Sequence, residues 1–303
     1  MRILVTGATG FVGSRLVEAL VARGDQVVVL SRDAERARRK LPGIAGSHAW
    51  NPERDLPPAA ALEGVEAVIH LAGESIAAGR WSPEQKARIR NSRLNGTRNL
   101  VKALAGTSVR TLISASAIGF YGDRGDEALD EQATPGKDFL ADVCLDWERE
   151  ALVAREQGIR VVNPRIGVVL GEGGGALDKM LIPFRLGLGG PLGSGRQWMS
   201  WIHRDDLVGL FLHLVDHPEL SGPVNATAPG AVTNAVFTRV LGKVLSRPAF
   251  FPVPGFGLRI LMGELADALL LGGQRVLPAR AEASGYRFRF PDLEGALRAV
   301  LGS

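Results

Sequence analysis

The chain has 303 residues, 46% hydrophobic and 22% charged, with a formal net charge of +4. That composition is too apolar for a disordered chain and provides for a large core, either one α/β domain or a core with a smaller appendage. A single cysteine, Cys144, excludes an internal disulfide framework and a cysteine-based zinc cluster and fits a reducing cytoplasm, while basic residues dispersed among nearly as many acids leave no nucleic-acid footprint.

In chain order, residues 2–5 form a short apolar run, a glycine-punctuated turn follows, and apolar periodicity predicts a helix over 11–22. The initial apolar run is too short for a signal peptide. The valine-rich run 26–30 reads as a second strand, and 65–71 as another, buried one. Between them, Arg36-Ala37-Arg38-Arg39-Lys40 reads either as the solvated face of a short helix or as an anion-binding rim. Pro83 opens a long helix reaching to about 105, and strands at 109–114 and 159–163 flank a helix around 139–156. Strands alternating with helices imply a parallel sheet covered on both faces.

From about residue 165 the texture changes to glycine-rich loops at 171–175 and 187–195, an ordered segment from 197 running into a helical pattern through 217, and a further strand at 224–227. The remainder, from 233, is mainly helical and punctuated by proline. Its most apolar stretch, 256–271, is interrupted by Arg259, Glu264 and Asp267, so no membrane partner is expected. The expected division is a nucleotide-binding core of residues 1–170, rejoined by about 198–227, and a smaller, partly interleaved lobe of 171–303.

The strongest local signal is Thr6-Gly7-Ala8-Thr9-Gly10-Phe11-Val12-Gly13, placed between a predicted strand and a predicted helix. Gly7 permits the tight turn, Gly10 a close approach of backbone to pyrophosphate, and Gly13 close packing of helix on strand, with Thr9, Phe11 and Val12 completing the rim. The helix N-terminus adds unpaired N–H groups and the positive end of its dipole. This predicts a Rossmann-type, doubly wound α/β fold. The second strand ends Val29-Leu30-Ser31-Arg32, where an NAD site would carry an acid for the ribose hydroxyls. Ser31 and Arg32 instead suit the 2′-phosphate of NADP(H).

With these residues in view, the chain resembles the extended short-chain dehydrogenase/reductase superfamily. Within it, it is most similar to the NAD-dependent epimerase/dehydratase-like family, a nucleoside-diphosphate-sugar epimerase-like branch with its own C-terminal domain. The likeness rests on the glycine turn, His70-Leu71-Ala72-Gly73-Glu74, Ser114-Ala115-Ser116-Ala117-Ile118-Gly119-Phe120-Tyr121-Gly122, Arg165-Ile166-Gly167-Val168-Val169-Leu170-Gly171 and Trp198-Met199-Ser200-Trp201-Ile202-His203. It extends into the tail through Tyr286-Arg287-Phe288-Arg289-Phe290-Pro291. The resemblance implies that Gly7, Gly10, Phe11, Val12 and Gly13 border the pyrophosphate and that Ser31 and Arg32 border the 2′-phosphate. It also implies that Leu71, Ala72, Gly73 and Glu74 line the adenosine–nicotinamide trough and that Arg93 approaches the cofactor. Without the resemblance, Arg93 reads equally as a helix-surface ion pair. Arg196, on a glycine-rich loop, is either a meeting point for an anionic substrate or a plain surface cation.

The catalytic pattern of that superfamily is broken here. Its members use a tyrosine whose pKa is lowered by a lysine four residues on, because an unperturbed phenol, with a pKa of about 10, is a poor base at neutral pH. Only two tyrosines are present; Gly125 stands four residues after Tyr121 and Phe290 four after Tyr286. The usual tyrosine and lysine positions correspond to Phe139 and Val143. Ser116 remains as the hydroxyl that orients the substrate oxygen, and Tyr121, on a loop expected to face the nicotinamide, is the candidate proton donor. His70 and His203 are either further candidates or structural residues, and no histidine–carboxylate spacing suggests a metal site. Two functions stay open: an NADP(H)-dependent oxidoreductase acting on an unknown small molecule, and a non-catalytic NADP(H)-binding sensor. A sugar-nucleotide epimerase is disfavoured by the missing base.

Overall fold

Short runs of Val, Ile and Leu, buried on both faces, form the central strands of one parallel sheet, and more polar segments its edge (Gly46–Ala49) and a short continuation (Ser116–Ala117), in a computed structural model that describes residues 1–302. These are β1 (Arg2–Thr6), β2 (Gln26–Ser31), β3 (Gly46–Ala49), β4 (Ala67–His70), β5 (Thr111–Ser114) and the two-residue β6 (Ser116–Ala117). After β7 (Ala128–Leu129), which lies elsewhere, the sheet resumes with β8 (Arg160–Ile166). The lobe then contributes β9 (Val168–Leu170), β10 (Trp198–Met199) and β11 (Trp201–His203), before β12 (Gly222–Ala226) returns to the edge of the sheet; β13 (Val232–Thr233) and β14 (Arg275–Val276) follow. The order is β3-β2-β1-β4-β5-β8-β12, with β6 continuing beside β8. Order reverses between β1 and β4, which places a ligand crevice at the carboxyl ends of these strands.

The helices are α1 (Phe11–Ala22), α2 (Ala34–Lys40), α3 (Pro83–Ala103), α4 (Phe139–Leu152), α5 (Gly175–Arg185) and α6 (Arg204–Asp216). They are followed by α7 (Asn234–Val244), α8 (Gly255–Met262), α9 (Glu264–Ala266), α10 (Ala279–Ala283) and α11 (Leu293–Leu301). Alternation along β1 separates the two faces. Ile3 and Val5 pack under α1 and α6 with Leu16, Leu20 and Phe211, while Leu4 packs with Leu100 of α3 and Val161 on the other side. A third apolar cluster, including Phe184, Trp201, Phe237 and Leu297, is the core of the lobe. No helix among the described residues is long and apolar enough to cross a membrane.

Four details differ from the sequence reading. The edge strand β3 was not expected, because Gly46-Ser47-His48-Ala49 has no buried apolar pattern to betray it. The helix α5 was hidden by its glycine-rich start and by Pro183 inside it. β8 runs past the expected end at residue 163 and through Pro164; β5 pairs with it only to Val162 and β6 begins at Arg165, so the proline falls between the two partners. Finally, residues 278–290 do not stay in the lobe, although α11 after them returns to it. Arg280 donates to the carbonyls of Ser221 (2.7 Å) and Pro223 (2.6 Å) along β12, and the Asp206 carboxylate on α6 accepts from the backbone of Arg289 and Phe290 at 2.8 and 2.9 Å.

Candidate functional site

The glycine turn is built as its spacing requires. Gly7 has φ +68°, and a Cβ there would lie 2.7 Å from the backbone of Leu71. A Cβ on Gly13 would stand 2.2 Å from the Gly7 carbonyl, so this residue lets α1 sit directly on the turn. Gly10 differs: a Cβ would touch only the Gly7 carbonyl, at 3.1 Å, and would otherwise project into open space. That open side is where an anion can approach the backbone. Gly10 caps α1 without a side-chain bond, and no acid stands in the first turn to repel a phosphate.

The Phe11 side chain sits in a clasp that sequence reasoning missed. Cβ atoms on Gly174 and Gly175 would come within 2.8 and 2.9 Å of its ring, and one on Gly171 within 3.0 Å. The loop after β9 therefore needs its glycines in order to wrap Phe11, and the Arg204 guanidinium lies 5.0 Å from the ring centroid. The loop was visible as a glycine cluster; its partner was not. At the end of β2, Arg32 is exposed and makes no hydrogen bond or ion pair among the described residues, while Ser31 Oγ accepts from the Asp33 N–H at 3.3 Å. Lys40, from the basic run on α2, donates to the Thr9 carbonyl at 2.7 Å. The basic run thus borders the turn.

The loop after β4 is fixed from beneath. Thr6 Oγ1 accepts from the N–H groups of Leu71 and Ala72, both at 3.2 Å, which fills its acceptor capacity. Its proton therefore goes to His70 Nδ1 at 2.7 Å, leaving His70 Nε2–H to donate to Thr97 Oγ1 at 3.1 Å. Burial lowers the His70 pKa to about 4, so the ring is neutral and serves as a strut. On the far side, the Glu74 N–H donates to Ser92 Oγ, and Arg93 Nη1 donates to the carbonyls of Glu74 (2.9 Å) and Ile89 (3.1 Å). Arg93 is no surface ion pair. It lies across the Trp147 ring at 5.1 Å and within 3.3 Å of where a Cβ on Gly73 would be.

Ser116 and Tyr121 belong to a buried polar network. Ser116 Oγ donates to Glu148 Oε1 at 2.6 Å, and Arg165 grips the same carboxylate through Nε (2.8 Å) and Nη2 (2.9 Å). Arg165 Nη1 donates to the Tyr121 hydroxyl at 3.0 Å, and that hydroxyl donates to Asn225 Oδ1 at 2.6 Å. Tyr121 is 0% exposed, and burial raises its pKa above the usual phenol range despite the pull of Arg165. The expected position is not what the structure shows: the phenol faces Asn225 of β12 and does not line the cavity. A strand arriving about a hundred residues later sets that geometry, so no local signal could have revealed it. His203 caps α6, accepting from the Asp205 N–H at 3.1 Å, and Arg196 is an exposed loop residue.

Between the carboxyl ends of the sheet and the lobe lies a cavity of ≈ 970 Å³, at the upper end of the range of about 300–1,000 Å³ for ligand pockets. The core contributes Ile118, Gly119 and Arg93, the lobe Val168, Met180 and Phe237, and Gly175 of the Phe11 clasp lies on the wall. Of the residues expected at the site, Arg93 alone lines it; Ser116 and Tyr121 do not. α4 presents Leu140, Val143, Cys144 and Trp147, an i, i+3, i+4, i+7 face. Val143 is thus on the wall in place of a lysine, whereas Phe139 packs edge-on against Trp81 instead, with ring centroids 5.3 Å apart. Burial pushes the Cys144 thiol up to about 12. No carboxylate, histidine or tyrosine lines the cavity among the described residues.

The model of the NAD dependent epimerase/dehydratase family matches residues 3–226, and that of a domain of unknown function, DUF1731, matches residues 253–300. The chain belongs to the NAD dependent epimerase/dehydratase family. Relatives in the family include the chloroplastic SDR39U1 homolog of Arabidopsis thaliana, 42% identical over 99% of this chain and 87% of the plant protein. Human epimerase family protein SDR39U1 is 38% identical over 99% of this chain and the whole of its own. A crystal structure of the human protein with NADPH superposes with a TM-score of 0.88, at 36% identity and with full coverage of both chains. A structure of MoeE5 with UDP-glucose and NAD shares the fold, with a TM-score of 0.80 over the whole of this chain and 98% of its own, at 21% identity.

Proposed function

We propose that this family member binds NADPH and is an oxidoreductase for a small carbonyl or alcohol compound held in the ≈ 970 Å³ cavity. The observation that carries the reading is the cavity itself, on the wall of which Arg93 is fixed by two carbonyls. A protein that merely sensed the nucleotide would have little need of it. The open side of Gly10 and the α1 N-terminus would hold the pyrophosphate, exposed Arg32 with Ser31 the 2′-phosphate, and the 71–74 loop with Arg93 the span toward the cavity. The NADPH in the human relative supports that choice. When bound, the cofactor supplies or accepts a hydride. The protein holds the reacting carbon against it beside the apolar α4 face and keeps Ser116 and Tyr121 as supports for Arg165; the proton that the oxygen gains or loses would be exchanged with water at the open side of the cavity. Epimerisation by a protein base is disfavoured, because no such base stands on the wall. The same lack favours the sensor reading as the alternative. A cytoplasmic setting rests on the single, unpaired Cys144.

The test is calorimetric titration with NADPH and NADH, followed by nicotinamide absorbance with a panel of aldehydes and ketones. NADPH should bind one per chain and be oxidised by at least one compound. Binding without turnover across the panel would leave the sensor reading; no binding would overturn both.

A further inference from the structure

The cavity and the surface around its mouth form one apolar system. Inside, Ile118, Val168, Met180, Phe237, Leu265 and Leu269 supply much of the wall. The lining continues outward through Leu188 and Leu261 onto α8, whose sequence Gly255-Phe256-Gly257-Leu258-Arg259-Ile260-Leu261-Met262 buries no residue at all. Phe256, Ile260 and Leu261 are 68%, 73% and 70% exposed. Exposed apolar side chains on a rim that leads into an apolar cavity mark a ligand path.

Three cations edge this path, each bonded to backbone carbonyls and none paired with a carboxylate among the described residues. Lys179 donates to the Ala77 carbonyl at 3.3 Å, Arg80 to the Ile260 carbonyl at 2.8 Å, and Arg93 to Glu74 and Ile89. Their unused donors can meet a polar head group at the wall, but a sugar diphosphate would have to shed its water in a space lined mainly by apolar side chains. α8 itself is tied to the core only at the surface, by Arg80 and by the neighbouring Lys86–Glu264 pair, where water competes for both.

We propose that the substrate has an extended hydrocarbon body and a single carbonyl or hydroxyl group, its apolar part running past α8 to the rim. The assignment rests on the oxidoreductase reading for its reacting group; the apolar body is argued from the cavity alone. The test uses N-phenyl-1-naphthylamine, a neutral apolar fluorophore, with the free and the NADPH-loaded protein. Saturable one-to-one binding is expected, displaced by dodecanal or dodecanol and not by UDP-glucose. Ala176 lines the cavity and is exposed, so Ala176→Trp should fill the space without disturbing the fold. It should weaken the probe about tenfold or more, with NADPH affinity unchanged. Ala268→Trp, on the opposite segment, should do the same.

Displacement by UDP-glucose but not by dodecanal would overturn the proposal. So would probe binding indifferent to both tryptophans, which would place it on the outer rim; self-association by sedimentation or binding to neutral vesicles would then show what covers that rim. If NADPH fails to bind while the free protein still takes the probe and both tryptophans weaken it, the nucleotide reading falls and the apolar site stands.

Discussion

Changing Tyr121→Phe removes one oxygen and almost no volume, so its effect isolates the buried hydroxyl. Asn225 Oδ1 loses its donor at 2.6 Å, and Arg165 Nη1 its acceptor at 3.0 Å. Both residues are buried, at 0% and 4% exposure, so water does not easily replace the phenol. Their remaining partners, Glu148 for Arg165 and the Leu277 carbonyl for Asn225, are unaffected. Each buried group left unsatisfied costs about 1–3 kcal/mol, so the pair should lose roughly 2–6 kcal/mol of stability. At about 2–4 °C per kcal/mol for a large domain, the thermal midpoint should fall by roughly 4–24 °C. Turnover of any carbonyl the protein reduces should stay within about twofold, because the phenol does not reach the cavity; loss of a true proton donor costs about 10²–10⁴-fold. Circular dichroism melting and single-turnover kinetics on one preparation give both numbers. An unchanged midpoint together with a hundredfold slower hydride transfer would refute the reasoning.

Arg32→Ala should leave the melting temperature unchanged and cut the preference for NADPH over NADH, by calorimetry, by about 10- to 150-fold, the worth of one charge-assisted hydrogen bond of roughly 1.5–3 kcal/mol. Gly10→Ala should fold normally yet bind NADPH poorly, whereas Gly13→Ala, with its Cβ 2.2 Å from a carbonyl, should melt at a clearly lower temperature; equal melting of the two variants would show that the turn can yield. Burial lowers the His70 pKa to about 4 from the ordinary 6.5, so the unfolded chain takes up the proton first and stability is lost as pH falls from 6.5 toward 4. The loss should total about 3 kcal/mol, with about 1 kcal/mol gone by pH 5.5. Urea denaturation between pH 8 and 5.5 should show it, and a His70→Asn variant should lack that part of the slope.

The glycine turn was legible in the sequence because its demands are local: positive φ at Gly7 and the absence of a Cβ at Gly13 follow from spacing alone. The break in the catalytic pattern was equally legible, since a missing lysine is a fact of composition, and the structure puts Val143 on the cavity wall at that position. What could not be read depends on segments that meet from far apart. Tyr121 is turned inward by Asn225, and Asn225 is held in turn by Glu131, which accepts from its N–H at 2.9 Å. Phe11 is clasped by a loop about 160 residues away. Neither pairing leaves a period or a motif. Ser116 has a similar history: in sequence it is a free hydroxyl after a strand, and only the packing of α4 brings Glu148 over it.

The return of residues 275–290 to the sheet bears on how the protein is made. The outer edge of β12 is covered by α10, with Arg280 bonded to two of the carbonyls around it, yet about fifty residues separate the two in sequence. At about 5–20 residues per second, a ribosome needs roughly 3–10 s to deliver the second after the first. Throughout that interval the nascent sheet presents an unpaired strand edge of the kind that recruits other chains, and Asn225 lacks the Leu277 carbonyl that helps orient it toward Tyr121. The first three-quarters of the polypeptide therefore cannot finish its own interior until the last quarter arrives.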